Sequence, residues 1–139
     1  MLGISMVTLG VRDVAEATAF YEKLGLKRSE ASQDSVTFFQ AGACVLGLYG
    51  LDALAEDGNA GELWSGKGGF SLALNVANEA KVDEIIAHAG TIGARILKAP
   101  QKTFWGGYHG YFADPDGHIW EIAHNPFFPV DQRGELTLP

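Results

Sequence analysis

The same order of predicted elements occurs twice in this chain, and this repeat constrains the fold more than any other feature. Apolar side chains alternate along residues 7–11 and again along residues 72–76, as they do in half-buried strands. An apolar helix face with i, i+3, i+4, i+7 spacing follows each time, at residues 17–24 and 82–89. Further short apolar runs come after each helix. Each half therefore predicts a strand, a helix and then about three strands.

Polar caps and glycines mark the ends of the two predicted helices. Asp13 stands in an N-cap position with Glu16 three residues later, which is the spacing of a capping box. Asn78 can cap the second helix in the same way. Gly25 and Gly90 are predicted to end the helices, because glycine readily adopts the left-handed conformation that follows many helix C-termini.

A tight turn joins the last two predicted strands, which cover residues 108–113 and 118–124. The turn is Asp114-Pro115-Asp116-Gly117, in which proline sets the first central dihedral angle and glycine supplies a positive φ. The sequence therefore predicts a hairpin at this point. The other strands that follow the helices are predicted at residues 35–40, 43–50 and 95–97.

The chain of 139 residues has the length of one domain. We predict a single domain made of module one at about residues 4–50, a connector at about 51–68, module two at about 69–126 and a tail at 127–139. The connector is rich in glycine and acidic residues and is predicted to hold one helical turn at residues 51–56. The tail opens with Phe127 and Phe128, which we expect to pack either on this chain or across a dimer interface.

Composition excludes several classes of function. The net charge of −7 opposes binding to nucleic acid, which is itself a polyanion. No apolar run approaches the roughly 20 residues of a membrane helix, and the N-terminus does not resemble a signal peptide. A single cysteine excludes an internal disulfide and a zinc-cysteine cluster. These features predict a soluble cytoplasmic protein with a small-molecule partner.

Two βαβββ halves with the opening VRDVAEATAFYEKLGL and the closing YFADPDGHIWEI resemble the vicinal oxygen chelate superfamily. That superfamily includes glyoxalase I, extradiol dioxygenases, fosfomycin-resistance transferases and bleomycin-resistance binding proteins. The resemblance covers residues 6–126 and implies an α+β fold. In this fold two βαβββ modules form an incomplete barrel around a central cleft. Members are often dimers, so the resemblance also implies a homodimer.

The resemblance also indicates which positions of this chain would carry metal ligands. Metal-dependent members take His, Glu or Gln ligands from the first and last strands of each module. The matching positions here are Met6, Gly47, Ser71 and Glu121. Only Glu121 has a suitable side chain, whereas a tight site needs about three protein ligands, and adding His109 would give only two. We therefore expect no metal and no other cofactor.

By the same resemblance, Glu121 faces the cleft whereas Trp120 packs on a helix. His109, in the neighbouring strand, is expected to face either the cleft or its rim. Aromatic walls around one carboxylate suit a flat or cationic organic ligand. The candidate ligand-binding residues are Glu121, Trp105, Tyr108, His109, Tyr111, Tyr49, Phe38 and Trp64.

Three functions agree with these residues. The first is metal-free binding of a small organic molecule in the cleft, as in the bleomycin-resistance binders. The second is a metal-dependent lyase or dioxygenase. The third is a metal-independent enzyme with Glu121 as a general base, helped by His109 or Tyr108. Glu121 also has purely structural interpretations, namely an ion pair with Lys102 or Arg95, or a hydrogen bond from Tyr108.

Overall fold

The structure is a computed structural model that describes residues 3–61 and 69–138. The chain divides into two compact units, Met1–Gly69 and Phe70–Pro139. The first unit contains β1 (Met6–Val11), α1 (Val14–Leu24), β2 (Val36–Ala41), β3 (Cys44–Gly50) and α2 (Leu51–Asp57). The second unit contains β4 (Leu72–Asn75), α3 (Glu79–Thr91), β5 (Arg95–Lys102), β6 (Tyr108–Ala113) and β7 (Ile119–His124).

The sheet of the first unit has the strand order β1-β3-β2, with β1 parallel and β2 antiparallel to β3. Helix α1 begins after Asp13, whose carboxylate accepts the backbone N–H of Glu16, and it ends at Gly25 as predicted. The apolar face of α1 is buried in the core of the unit, where the rings of Tyr21 and Phe39 lie 6.1 Å apart. The other buried apolar side chains of this core include Leu9, Val11, Phe20, Leu46 and Leu48.

The first unit departs from the predicted repeat after α1. Two described strands follow the helix instead of about three, and an isolated bridge joins Arg28 to Phe39 of β2. In this polar segment, Ser32 Oγ accepts the backbone N–H of Phe38, and the N–H of Ser29 donates to the Phe38 carbonyl. A side-chain acceptor such as Ser32 Oγ competes with a regular ladder, which is consistent with a turn in this segment instead of a strand.

The second unit has the strand order β4-β7-β6-β5, with β4 parallel to β7. Helix α3 starts after Asn78, whose side chain accepts the N–H of Lys81, as predicted. It packs on β5, β6 and β7. The buried side chains of this core are Val82, Ile86, Ala89, Phe112, Trp120 and Ile122. A three-stranded and a four-stranded sheet, with the three helices α1, α2 and α3, give the α+β class that the sequence predicted.

The predicted end of α3 at Gly90 is wrong. The helix continues to Thr91, and Gly93 is the glycine with a left-handed backbone, at φ 109°. A Cβ at position 90 would lie 3.5 Å from the Ile96 side chain, an ordinary packing distance. Gly90 is therefore part of the helix beside β5, and Gly93 takes the left-handed conformation predicted for Gly90.

Strand β5 is longer than the predicted residues 95–97 and runs to Lys102. Its pairing with β6 contains two register shifts, and Pro100 lies in this irregular part. Proline is tolerated here because β5 is the edge strand, and bulges absorb its missing N–H. The facing Gly110 allows a close approach, since a Cβ there would lie 2.9 Å from the carbonyl oxygen of Lys98.

The predicted hairpin between β6 and β7 is confirmed. The N–H of Gly117 donates to the carbonyl of Asp114 at 2.9 Å, and Gly117 has φ 90°. The Asp114 carboxylate is buried and accepts the N–H groups of Asp116 and His118. This turn fixes the register of the two strands, so that Ala113 pairs with Ile119.

The connector contains α2, where one helical turn was predicted. Trp64, a candidate ligand-binding residue, lies outside the described residues. In the tail, Phe128 is half-buried, whereas Phe127 is 63% exposed beside Gly106. Within the described part of the chain, no helix is long and apolar enough to cross a membrane.

Candidate functional site

The register of β6 and β7 brings three of the predicted site residues to one face of the second sheet. Tyr111 lies opposite Glu121, and His109 lies opposite Ala123. Side chains alternate along a strand, so His109, Tyr111 and Glu121 share the face that is turned away from α3. The residues of opposite parity, Gly110, Phe112, Trp120 and Ile122, form the face against which α3 packs.

A hydrogen bond between His109 and Glu121 is the polar centre of this face. His109 Nδ1 lies 2.6 Å from Glu121 Oε2, and the two side chains are only 12% and 22% exposed. An ionised carboxylate can only accept hydrogen bonds, so the proton of the pair is assigned to Nδ1. Nε2 of His109 makes no hydrogen bond to residues 3–61 or 69–138, so its lone pair has no donor within these ranges.

Two aromatic rings enclose the His109 imidazole. The centroid of Trp105 lies 6.0 Å away and that of Tyr111 5.2 Å away, both in edge-on orientation. The Lys98 ammonium lies 5.9 Å from the centroid of the Tyr111 ring. We call Trp105, His109, Tyr111 and Glu121 the His109 cluster. It combines aromatic surface with one hydrogen-bonded acid–base pair.

The turn between β5 and β6 holds Trp105 in place. The N–H of Thr103 donates to the Gly107 carbonyl, and the N–H of Gly107 donates to Thr103 Oγ1 at 2.8 Å. Gly106 has φ 91°, a conformation that favours glycine. The Trp105 indole lies directly over Gly107, where a Cβ would be 1.9 Å from its ring. The indole position therefore depends on the missing side chain at 107.

The environment of Tyr111 raises the pKa of its phenol above the ordinary value near 10, first by burial, then by the negative charge of Glu121 and by a hydrogen bond to that carboxylate. Because the pKa in the folded chain exceeds that in the unfolded chain, this contribution to stability is complete below pH ~10. It is lost as the pH rises through the folded-state value.

Replacing Glu121 with glutamine is expected to lower the pKa of Tyr111, because the substitution removes the nearby negative charge. Absorbance titration of the phenols would measure this, with Tyr111→Phe identifying the signal. Tyr108 is the internal control, since its raised pKa comes first from a hydrogen bond to Asp83. A Tyr111 pKa that is unchanged by the substitution would contradict this account of the cluster.

Tyr108 does not belong to the His109 cluster, so its predicted place beside Glu121 is wrong. Its hydroxyl donates to Asp83 of α3 at 2.6 Å, on the opposite face of the sheet. Lys102 pairs with Glu79 at 3.6 Å, so it does not supply the ion pair that the sequence allowed for Glu121. Among residues 3–61 and 69–138, the ion pair of Glu121 is with His109.

Phe38 and Tyr49 lie in the first unit, on the face of its sheet that is turned away from α1. They have the opposite strand parity to the buried Phe39 and Leu48, and both are half-buried. Phe38 pairs with Gly47, and its ring would lie 3.7 Å from a Cβ there. The first sheet therefore presents its own aromatic face.

The four positions that match metal ligands in the family do not fit a metal. Met6 is 46% exposed, Ser71 is exposed and Gly47 has no side chain. A Cβ at 47 would lie 3.3 Å from Thr8 Oγ1, which leaves little room for a longer side chain. Glu121 is already hydrogen-bonded to His109. Residues 3–61 and 69–138 contain no group of three His, Cys, Asp or Glu side chains that could hold a metal ion.

Lys98 and Gly107 were missed by the sequence analysis. Lys98 reaches Tyr111 because β5 continues past residue 97 through a bulge. No local sequence pattern predicts this bulge. Gly107 makes room for the Trp105 indole, since a Cβ at that position would lie 1.9 Å from the ring. Counting register outwards from the hairpin turn places Tyr111 opposite Glu121 and His109 on the same face, two residues from Tyr111.

Comparison with known proteins identifies the family and the fold of this chain. The sequence model of the Glyoxalase/Bleomycin resistance protein/Dioxygenase superfamily matches residues 3–122. The crystal structure of a glyoxalase-related enzyme from Fulvimarina pelagi is 31% identical, with a TM-score of 0.90 over 99% of both chains. An NMR structure of an Agrobacterium tumefaciens protein is 30% identical, with a TM-score of 0.70 over 89% of this chain and 98% of that one.

A family enzyme from Burkholderia phytofirmans is 24% identical, with a TM-score of 0.80 over 88% of this chain and 98% of that one, and it supports the fold alone. None of the curated proteins compared matches the chain significantly. The family match covers most of the chain and confirms the resemblance seen in the sequence. The chain is therefore a member of the Glyoxalase/Bleomycin resistance protein/Dioxygenase superfamily.

Proposed function

We propose that this chain binds a small, flat organic molecule at the His109 cluster without the help of a metal. The observation that carries the proposal is the 2.6 Å hydrogen bond between His109 and Glu121, flanked by the rings of Trp105 and Tyr111. The carboxylate that a metal would need is occupied by the imidazole. The same arrangement supplies apolar surface and one oriented polar atom, which is the usual composition of a small-molecule site.

The cluster also indicates the chemistry of the ligand. Aromatic rings favour a planar partner, which can stack or make edge contacts worth about 0.5–1.5 kcal/mol for each pair. His109 Nε2 can accept a hydrogen bond from an O–H or N–H group of the ligand. The ligand class that fits best is therefore a planar compound with a hydrogen-bond donor on its edge.

Thermal denaturation with a panel of planar organic compounds, compared with zinc, nickel, manganese and iron(II) salts, tests the proposal. A compound that binds is expected to raise the melting temperature, by an amount equivalent to about 2.7 kcal/mol at a concentration near 100 times Kd. The metal salts are expected to have no such effect. Stabilisation by a metal, with no response to the organic panel, would overturn the proposal.

The neighbouring aromatic residues provide a matched pair of variants for this assay. Trp105→Ala removes one wall of the cluster and is expected to weaken ligand binding. Phe104→Ala removes a side chain that is fully exposed and should leave binding unchanged. If both substitutions weaken binding equally, the ligand does not bind at the His109 cluster.

Two further predictions from the sequence accompany this proposal. The chain is expected to act in the cytoplasm and to form a homodimer. The exposed rings of Phe104 and Phe127 are consistent with an apolar contact between copies.

A further inference from the structure

We propose that the His109 cluster also catalyses proton transfer, with His109 Nε2 as the general base and Glu121 as its positioning residue. The substrate class is a small planar carbon acid, that is, an aromatic compound with an acidic C–H proton. This inference rests on the proposed ligand site, since the same rings that bind the compound would hold its C–H group beside the imidazole.

The geometry of the pair supports this division of roles. The Nδ1–H group of His109 donates to Glu121 Oε2 at 2.6 Å, so the basic lone pair of the neutral imidazole is at Nε2. When Nε2 takes up a proton, the imidazolium that forms is stabilised by the adjacent carboxylate. A carboxylate that orients a histidine in this way sets its tautomer and favours its charged form.

The alternative in which Glu121 itself removes the proton fits less well. Its Oε2 atom is occupied by the hydrogen bond from His109, and the Tyr111 ring, directly opposite in register, lies beside the pair. Nε2 of His109, in contrast, has no hydrogen-bond partner in the described part of the chain. Protonation of Glu121 would also remove the negative charge from the acceptor that orients the imidazole.

His124 provides a comparison within the same unit. Its Nδ1 lies 3.0 Å from the backbone carbonyl oxygen of Val76, which fixes the same tautomer but offers no full negative charge. His124 therefore has a neutral backbone partner where His109 has a carboxylate. His124→Gln is the matched control for His109→Gln.

A nitro-substituted benzisoxazole is a suitable probe, because its ring opening needs only a base. The base takes the ring C–H proton, the electrons of that bond form a nitrile, and the N–O bond breaks to give a cyanonitrophenolate. The imidazolium then returns its proton to water, so no oxidant, reductant or further reactant is required. The coloured phenolate reports the rate directly.

The wild-type chain is expected to open the probe faster than free imidazole at the same concentration. His109→Gln should reduce the rate by about 100-fold or more, and His124→Gln should leave it unchanged. A wild-type rate no faster than that of His109→Gln would overturn the inference, whether or not the probe binds. Binding of the organic panel, measured separately, would show whether the proposed ligand site fails as well.

The positioning role of Glu121 has its own readout. Long-range proton–nitrogen NMR spectra distinguish the two tautomers of a neutral imidazole, and His109 is expected to carry its proton on Nδ1. Glu121→Gln keeps an acceptor oxygen but removes the charge, so it should keep this tautomer and lower the rate by about 10-fold or more. Glu121→Ala should lose the tautomer preference too. A proton on Nε2 in the wild-type chain would overturn the proposal.

Discussion

Replacing Gly107 with alanine is expected to lower the free energy of unfolding by about 2–3 kcal/mol, as overpacking at a closed position typically does. The new Cβ would lie 1.9 and 2.2 Å from two atoms of the Trp105 indole and 2.8 Å from the carbonyl oxygen of His124. The indole can rotate away, but the carbonyl belongs to the end of β7 and moves only if the backbone shifts. The substitution should therefore displace Trp105 and strain the start of β6 together.

Urea denaturation would measure this loss, and intrinsic fluorescence would report the displaced indole. Gly61→Ala is the matched control, because no described atom lies within 4 Å of a Cβ at that position. We also expect Gly107→Ala to weaken ligand binding, since Trp105 would no longer contact His109. A variant as stable as the wild-type chain would show that the indole is less firmly placed than the structure indicates.

The elements that the sequence predicted correctly are those fixed by local chemistry. Asp13 and Asn78 cap their helices through hydrogen bonds to N–H groups three residues later, which any chain with these residues can form. The turn at Asp114–Gly117 closes the last hairpin. Once this turn is fixed, the strand period of two places Tyr111 opposite Glu121 without further information.

The same period should have separated Tyr108 from Tyr111. The two residues are three apart, so on a regular strand their side chains point to opposite faces. Placing both beside Glu121 overlooked this constraint, and the structure turns Tyr108 towards Asp83 of α3. This error could have been avoided from the sequence alone.

Other features of the site depend on contacts between distant segments. Strand β5 continues through Pro100 because bulges absorb the irregularity and the facing Gly110 lets its backbone come close. Lys98 reaches Tyr111 only as a result. The position of the Trp105 indole over Gly107 depends on the conformation of the β5–β6 turn. Propensities and periodicity carry no information about such packing, which is why the sequence could name Trp105 but not its position over Gly107.

Replacing Asp114 with alanine is the second substitution with a large expected effect, a loss of about 2–4 kcal/mol in the free energy of unfolding. The Asp114 side chain is 3% exposed, and its Oδ1 accepts the N–H groups of Asp116 at 2.9 Å and His118 at 2.8 Å. Hydrogen bonds to a charged group contribute about 1.5–3 kcal/mol each, and buried donors left without a partner cost a similar amount. Alanine would remove both bonds at once.

A second aspartate with the same bonding pattern makes this prediction specific. Asp131 Oδ1 accepts the N–H groups of Arg133 and Glu135, again two and four residues later, but Asp131 lies on the exposed surface of the tail. Asp131→Ala should therefore cost much less in urea denaturation than Asp114→Ala, because water can replace the lost acceptor. Asp114→Asn keeps an acceptor without the charge, so its free energy of unfolding should fall between those of the wild-type chain and the alanine variant.

Since the turn at Asp114 sets the register that joins Tyr111 to Glu121, the alanine variant should also shift the pKa of Tyr111 towards its ordinary value. Equal losses at positions 114 and 131 would mean that burial of the carboxylate adds nothing to the hairpin.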